Sequence, residues 1–209
     1  VVSGTSAGQP VSDNGTVAPF GSVSITDADA GQTLAVTVTL DNNAKGALSG
    51  GGFSGSGPYQ VSGTADQVTV AIGLLVFDPA ENRVAPGTSE TTVLTITVND
   101  GVANVVDGTT TVVTAALNDA PTVGVIADQT MEEDTVKVVA ITVGDQETEA
   151  GLLTVSVSSS APSVIAPANV VVSGSGAQRT LAIMPSAQQN GLVTLTVKVR
   201  DTGGLESAA

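Results

Sequence analysis

Leu34–Leu40 reads Leu-Ala-Val-Thr-Val-Thr-Leu. A period of two places Leu34, Val36, Val38 and Leu40 on one face and Ala35, Thr37 and Thr39 on the other. A helical period of 3.6 would scatter those aliphatic side chains around its circumference. The segment therefore reads as a strand with one face on a core. The same alternation recurs on either side of it, at Val23–Thr26, Val93–Val98 (VLTITV), Thr111–Ala115, Leu153–Val157 and Val193–Val199 (VTLTVKV). Turn-forming runs separate these segments: Asp41–Gly46 (DNNAKG), Gly50–Pro58 (GGGFSGSGP), Ser173–Gly176 (SGSG) and Asp201–Gly204 (DTGG). Many short strands punctuated by turns predict an all-β fold of antiparallel β-sandwiches.

One segment reads both ways. Thr64–Leu75 (TADQVTVAIGLL) opens with Thr64 and Gln67 at capping-box spacing, and Val68, Ala71, Ile72 and Leu75 follow at helical spacing. The Val-Thr-Val inside it and Gly73 oppose a helix. A short helix in the first half of the chain stays open at this point.

Composition narrows the chemistry. The 209 residues include neither His nor Cys, which excludes a Ser–His–Asp triad, a thiol nucleophile, a disulfide framework and Cys- or His-ligated metals. The net charge of −14 argues against nucleic acid and anionic membrane as partners, since both require a basic patch. No apolar run approaches the roughly 20 residues of a membrane-spanning helix. With 34 Val and 27 Thr the acidity does not read as disorder. No cleavable leader is visible, so the expectation is a cytosolic chain or an internal piece of a longer secreted one.

Leu117-Asn118-Asp119-Ala120-Pro121 marks a boundary, because its proline forces an extended path and a second alternating series follows. The two halves echo each other. Asp13-Asn14-Gly15-Thr16 corresponds to Glu132-Glu133-Asp134-Thr135, Asp27-Ala28-Asp29 to Asp145-Gln146-Glu147, and Phe77–Asn82 to Met184–Gly191; the strands ending at Asp100 and Asp201 correspond too. Two tandem domains are expected, 1–119 and 120–209. The second is expected to lack its last strand, and the chain to be an excerpt of a longer array.

The acids collect where strands start and stop. If each domain is an up-and-down sandwich, Asp13, Asp27, Asp29 and Asp100 should meet at one pole of the first domain. Glu133, Asp134, Asp145, Glu147 and Asp201 should meet at that of the second, where Asn118 and Asp119 enter. Two carboxylates about 4 Å apart repel by roughly 1 kcal/mol in water and roughly 4 kcal/mol at an effective dielectric near 20. A hard divalent cation would offset this. Calcium, with its 6–8 oxygen ligands and tolerance of irregular geometry, suits such loops better than magnesium.

These motifs resemble cadherin-like and immunoglobulin-like tandem repeats of large bacterial surface and secreted adhesins. The likeness is carried by Asn118-Asp119-Ala120-Pro121, Ile25–Asp29, Phe77–Gly87 (FDPAENRVAPG), Thr97–Gly101 (TVNDG), Asp128-Gln129-Thr130 with Glu133-Asp134-Thr135, Gly174–Thr180, and Asp201 with Gly203-Gly204-Leu205. It implies calcium held at the linker by Asn118 and Asp119, by the Asp-x-Asp type pairs Asp27/Asp29 and Asp145/Glu147, and by Asp100 and Asp201. The linker lacks an Asp two positions before Asn118, so one or two ions are expected rather than three. The calcium-binding nonapeptide of secreted repeat-in-toxin proteins is absent.

The resemblance implies an extracellular spacer and adhesion repeat whose partners are neighbouring repeats and a cell-surface or matrix protein or glycan. The alternative is a carbohydrate- or protein-binding module. Sugar platforms rest on exposed Trp or Tyr, and Tyr59 is the one such residue in the chain. A glycosidase would need two carboxylates facing a cleft, for which Glu132, Glu133, Glu147 and Glu149 are the candidates. Solvated loop acids or metal ligands explain them better, and no enzymatic activity is expected.

Overall fold

The computed structural model describes residues 1–29 and 31–209. Its contacts divide the chain into unit 1, Val1–Leu117, and unit 2, Asn118–Ala209. Asn118 and Asp119 thus group with the second unit, two residues earlier than the boundary read from the sequence.

Unit 1 contains β1 (Val2–Ser3), β2 (Gln9–Ser12), β3 (Ser24–Ile25), β4 (Leu34–Leu40), β5 (Gly46–Gly50), β6 (Phe53–Gly55), β7 (Tyr59–Gly63), α1 (Ala65–Gly73), β8 (Val76–Pro79), β9 (Ser89–Asn99) and β10 (Asn104–Ala115). Its larger sheet has the order β2-β10-β9-β4-β7, with β6-β5-β8 and the β1–β3 ribbon forming separate sheets. The alternation that opened the reading survives residue by residue: the even-numbered residues of β4 are buried and the odd ones are exposed or half-buried. They join Phe20, Leu48, Phe77, Leu94, Ile96 and Val112 in one core.

The ambiguous segment is helical. Thr64 Oγ1 accepts from Gln67 N–H while Gln67 Oε1 accepts from Thr64 N–H, so the capping box closes at both ends. Val68 and Ile72 are buried to completion, and packing of that face outweighs the helix-opposing Val-Thr-Val.

Unit 2 contains β11 (Thr122–Val123), β12 (Lys137–Gly144), β13 (Thr154–Ser159), β14 (Val170–Ser173), β15 (Gln178–Ile183), β16 (Leu195–Arg200) and β17 (Glu206–Ala208). The sheets β11-β12-β15-β14 and β13-β16-β17 enclose a core built on Ile141, Val143, Leu181, Ile183, Val197 and Val199. The strand expected to be missing after the Asp201 turn is present as the three residues of β17, paired to β16 from Lys198↔Ala208 to Arg200↔Glu206. The fold class is all-β, in antiparallel sandwiches with one α-helix among the described residues.

One pairing departs from the antiparallel plan and moves a site residue. β2 runs parallel to β10, with Gln9 beside Val112 and Ser12 beside Ala115. Asp13 therefore follows a strand instead of starting one, and its N–H donates to Ala115 O at 3.0 Å. On β10 that is the end paired with Ser89, far from the Asn104↔Asn99 end beside Asp100.

Candidate metal site

At the N-terminal end of unit 2 two acidic turns lie side by side. The first follows β12. Asp145 Oδ1 accepts from Glu147 N–H at 2.9 Å and Thr148 N–H at 2.6 Å, an Asx turn that keeps the chain from continuing as a strand. The second follows β16. Asp201 Oδ1 accepts from Gly204 N–H at 2.5 Å and Leu205 N–H at 2.8 Å. The Thr148 and Thr202 hydroxyls meet at 3.1 Å and tie one turn to the other.

The linker residues close the group. Asn118 Nδ2 donates to Asp201 Oδ2 at 2.7 Å, and Asp119 N–H donates to Glu147 Oε2 at 3.1 Å. The structure thus brings together five residues singled out in the sequence: Asn118, Asp119, Asp145, Glu147 and Asp201. Asp201 is 6% exposed. Burial pushes its carboxyl up, but the Asn118 amide and the N–H groups of Leu205, Gly204 and Gly203 together outweigh it and hold the group below the usual aspartate range.

Two oxygens in this group have no partner among the described residues: Asp145 Oδ2 and Glu147 Oε1 are both buried and accept no hydrogen bond there. A buried acceptor left unmade costs about 1–3 kcal/mol, and more when charged. Anionic oxygens of this kind are what a hard cation takes, and the residue types fit calcium. Among the described residues no three acidic side chains converge into a cage by themselves, so carboxylates alone do not make the coordination sphere.

Unit 1 carries the corresponding turns with fewer ties. Asp27 Oδ1 accepts from Asp29 N–H at 3.2 Å, and Asp27 Oδ2 is buried without a partner among the described residues. Asp29 Oδ2 is 3.5 Å from the Gln32 amide. Asp100 Oδ1 accepts from Val102 and Ala103 N–H, both at 2.7 Å. Those two bonds, Ala103 first, hold its carboxyl below the usual range.

Three expected members lie elsewhere. Asp13 sits at the opposite end of unit 1, where its Oδ1 accepts from Leu117 N–H at 3.2 Å. It lines a small cavity there with Lys45, Arg83 and Glu90. Glu133 and Asp134 precede β12, whereas Asp145 follows it, so the eight residues of that strand, roughly 26 Å at 3.3 Å per residue, separate the two groups. Asp134 Oδ1 instead accepts from Gln188 N–H at 3.2 Å. Asp13 is displaced because β2 pairs in parallel with β10, and Glu133 and Asp134 because they enter β12 at the end opposite Asp145.

The sequence reading also missed Thr148 and Thr202 as members of the site, and it quoted Gly203 only as part of the motif after Asp201. Thr148, three residues after an Asp, carries the spacing of an Asx turn, and that signal was available. Tyr59, on which a sugar platform would have rested, is 6% exposed and packs edge-to-face on Phe53 with ring centroids 5.4 Å apart. No helix among the described residues is long and apolar enough to cross a membrane.

Neither a protein-family model nor a curated protein matches the sequence. Solved structures are similar at low identity. The human desmocollin-1 ectodomain is 12% identical with a TM-score of 0.35, over 99% of this chain and 33% of that one. Protocadherin gamma B2 extracellular cadherin domains 3–6 are 15% identical with a TM-score of 0.41, over 100% and 45%. The fibronectin(III)-like modules of Clostridium thermocellum CbhA are 12% identical with a TM-score of 0.28, over 100% and 90%. The chain spans about a third of the first and under half of the second. Scores this low carry no functional argument.

Proposed function

We propose that the chain is a pair of tandem extracellular β-sandwich repeats with a spacer and adhesion role, of the kind found in large bacterial surface proteins, and that calcium binds at the N-terminal pole of unit 2. Asp145 and Glu147 offer the ion their unpaired oxygens and Asp201 stands beside them, with backbone carbonyls and water completing the sphere; in the metal-free state the Asn118–Asp119 linker is bonded to this group. Asp27, Asp29 and Asp100 are the less complete equivalent in unit 1. The observation that carries the reading is the pair of buried, partnerless carboxylate oxygens, Asp145 Oδ2 and Glu147 Oε1, in a turn pinned on both sides.

Bound there, calcium supplies charge neutralisation and fixes the entering linker to the sandwich, which stiffens a repeat array. No catalysis is involved. Extracellular calcium modules bind with Kd of roughly 10⁻⁴–10⁻³ M, so such a site is empty inside a cell and filled outside it.

Thermal melting followed by circular dichroism, in EDTA, calcium and magnesium, tests this. At ten times Kd, linkage contributes about 1.4 kcal/mol, which is about 5–10 °C for a unit of this size. Calcium should raise the transition of unit 2 by that amount, and magnesium should not. All four aromatic residues, Phe20, Phe53, Tyr59 and Phe77, lie in unit 1, so tyrosine fluorescence reports that unit alone. A circular dichroism transition indifferent to calcium at 10 mM sinks the metal reading.

A further inference from the structure

The Asn118 side chain has an orientation that its surroundings decide. Its nitrogen lies 2.7 Å from Asp201 Oδ2 and 3.1 Å from Asp119 O. Both neighbours are acceptors only, so the amide nitrogen, with two hydrogens to give, belongs there and the oxygen does not. The other Asp201 oxygen already takes two backbone N–H groups. Every short bond to this buried carboxylate therefore comes from an N–H donor. The Asn118 amide also lies flat against Gly203, where a Cβ would stand 2.6 Å from its Cγ and Oδ1.

An N–H donor and a cation compete for one carboxylate oxygen, because the hydrogen presents positive charge where the cation would sit. We propose that Asn118 is a built-in occupant of this acidic pole: its amide holds Asp201 when no cation is bound, and a divalent cation must turn it away to reach Asp201. The inference rests on the calcium reading above and adds two consequences to it. Unit 2 keeps its linker attached without metal, and its affinity for metal is weaker than the carboxylates alone would give. Gly203 serves as the seat that keeps the amide in place.

The test compares the wild-type two-unit chain with Asn118→Ala, Gly203→Ala and the double variant, by calorimetric titration with calcium chloride and by melting in EDTA. Tyrosine fluorescence of unit 1 serves as the control. Gly203→Ala pushes the amide out without touching any carboxylate. Each single variant should melt lower in EDTA and bind calcium about three- to tenfold tighter, since a bond to a charged acceptor no longer has to be broken. The double variant should match Asn118→Ala, because the clash at residue 203 vanishes with the side chain it strikes.

Weaker calcium binding by Asn118→Ala would make the amide a ligand and overturn the proposal. Unchanged melting in EDTA, or strict additivity of the two substitutions, would do the same. If the wild type takes up no calcium, the metal reading itself fails and the competition with it. Failure of the present proposal alone looks different: the wild type binds calcium and Asn118→Ala binds it no tighter.

Discussion

Two acidic regions, one in each unit, crowd carboxylates together and resolve the crowding differently. Around Asp13 in unit 1 the chain brings its own cations. Arg83 reaches Glu90 through Nε at 2.7 Å and through a terminal nitrogen at 3.2 Å. Lys45 binds Asp41 Oδ2 at 2.7 Å and Thr91 O at 2.6 Å. Around Asp201 in unit 2 no Lys or Arg bonds to the site's acids among the described residues; Arg200, next in sequence, turns to Glu206 instead. Backbone N–H groups and the Asn118 amide satisfy some of the oxygens, and Asp145 Oδ2 and Glu147 Oε1 are left over. The lesson is that acid content alone does not mark a cation site; what marks it is acid whose oxygens the chain itself leaves unpaired.

That contrast is broken most forcefully by Asp201→Ala. The substitution strands the Gly204 and Leu205 N–H groups and frees the Asn118 amide. Calorimetric titration should show calcium binding by unit 2 abolished, and the unit should melt well below wild type even in EDTA. Asp134→Asn is the matched control at the far end of β12. It keeps a residue type that tolerates the positive φ of 57° found there, and it alters a single hydrogen bond, to Gln188 N–H. Calcium binding should remain whole and stability should change by no more than about 0.5 kcal/mol. Equal loss in the two variants would erase the distinction between the ends.

A smaller effect sharpens the other half of the comparison. Arg83→Gln removes the guanidinium beside Glu90 and exposes that end of unit 1 to its own acids. Melting of the variant, read by Tyr59 fluorescence, should fall by a few degrees at low ionic strength and recover toward wild type as sodium chloride screens the carboxylates. Wild type should show little of this salt response. A variant that melts like wild type at 20 mM salt would mean the pair is solvated and contributes nothing.

The sequence carried the strands because their signal is local. Leu34–Leu40 alternates in the chain as it alternates in burial, and the Thr64–Gln67 capping box needs only three residues of separation. Two turns of the candidate site were legible for the same reason: Asp145 and Asp201 each bond to N–H groups within four residues. What could not be read locally was strand direction. The placement of Asp13 depends on β2 lying parallel to β10, about a hundred residues away, and nothing in Gln9–Ser12 announces that partner. The role of Asn118 was likewise hidden, because its neighbours Asp201 and Gly203 are brought to it by the fold of the whole unit.

The smallest effect, a difference in acid sensitivity, tests the two solutions against each other in one experiment. Hydrogen bonding to Arg83 holds the Glu90 carboxyl below its ordinary range, and in unit 2 the Asn118 amide and backbone N–H groups do the same for Asp201 against the opposing effect of burial. A folded-state value below the unfolded one means that the unfolded chain binds the proton more readily. The stabilisation is then complete above the unfolded value, about 4.3 for Glu and 3.9 for Asp, and is lost as pH falls through the folded value. Both units should therefore weaken as pH drops below about 4.5, and neither should respond between pH 5 and 8 through these groups. Arg83→Gln removes the cause for Glu90 only. Urea unfolding at steps from pH 5 to pH 3 should show unit 1, followed by Tyr59, losing less stability in the variant than in wild type, while the part of the circular dichroism change in EDTA that does not follow the Tyr59 transition, which belongs to unit 2, keeps its slope. Parallel slopes for unit 1 in the two proteins would mean that Arg83 does not hold the Glu90 proton off, and the claim that this end supplies its own cation would fall.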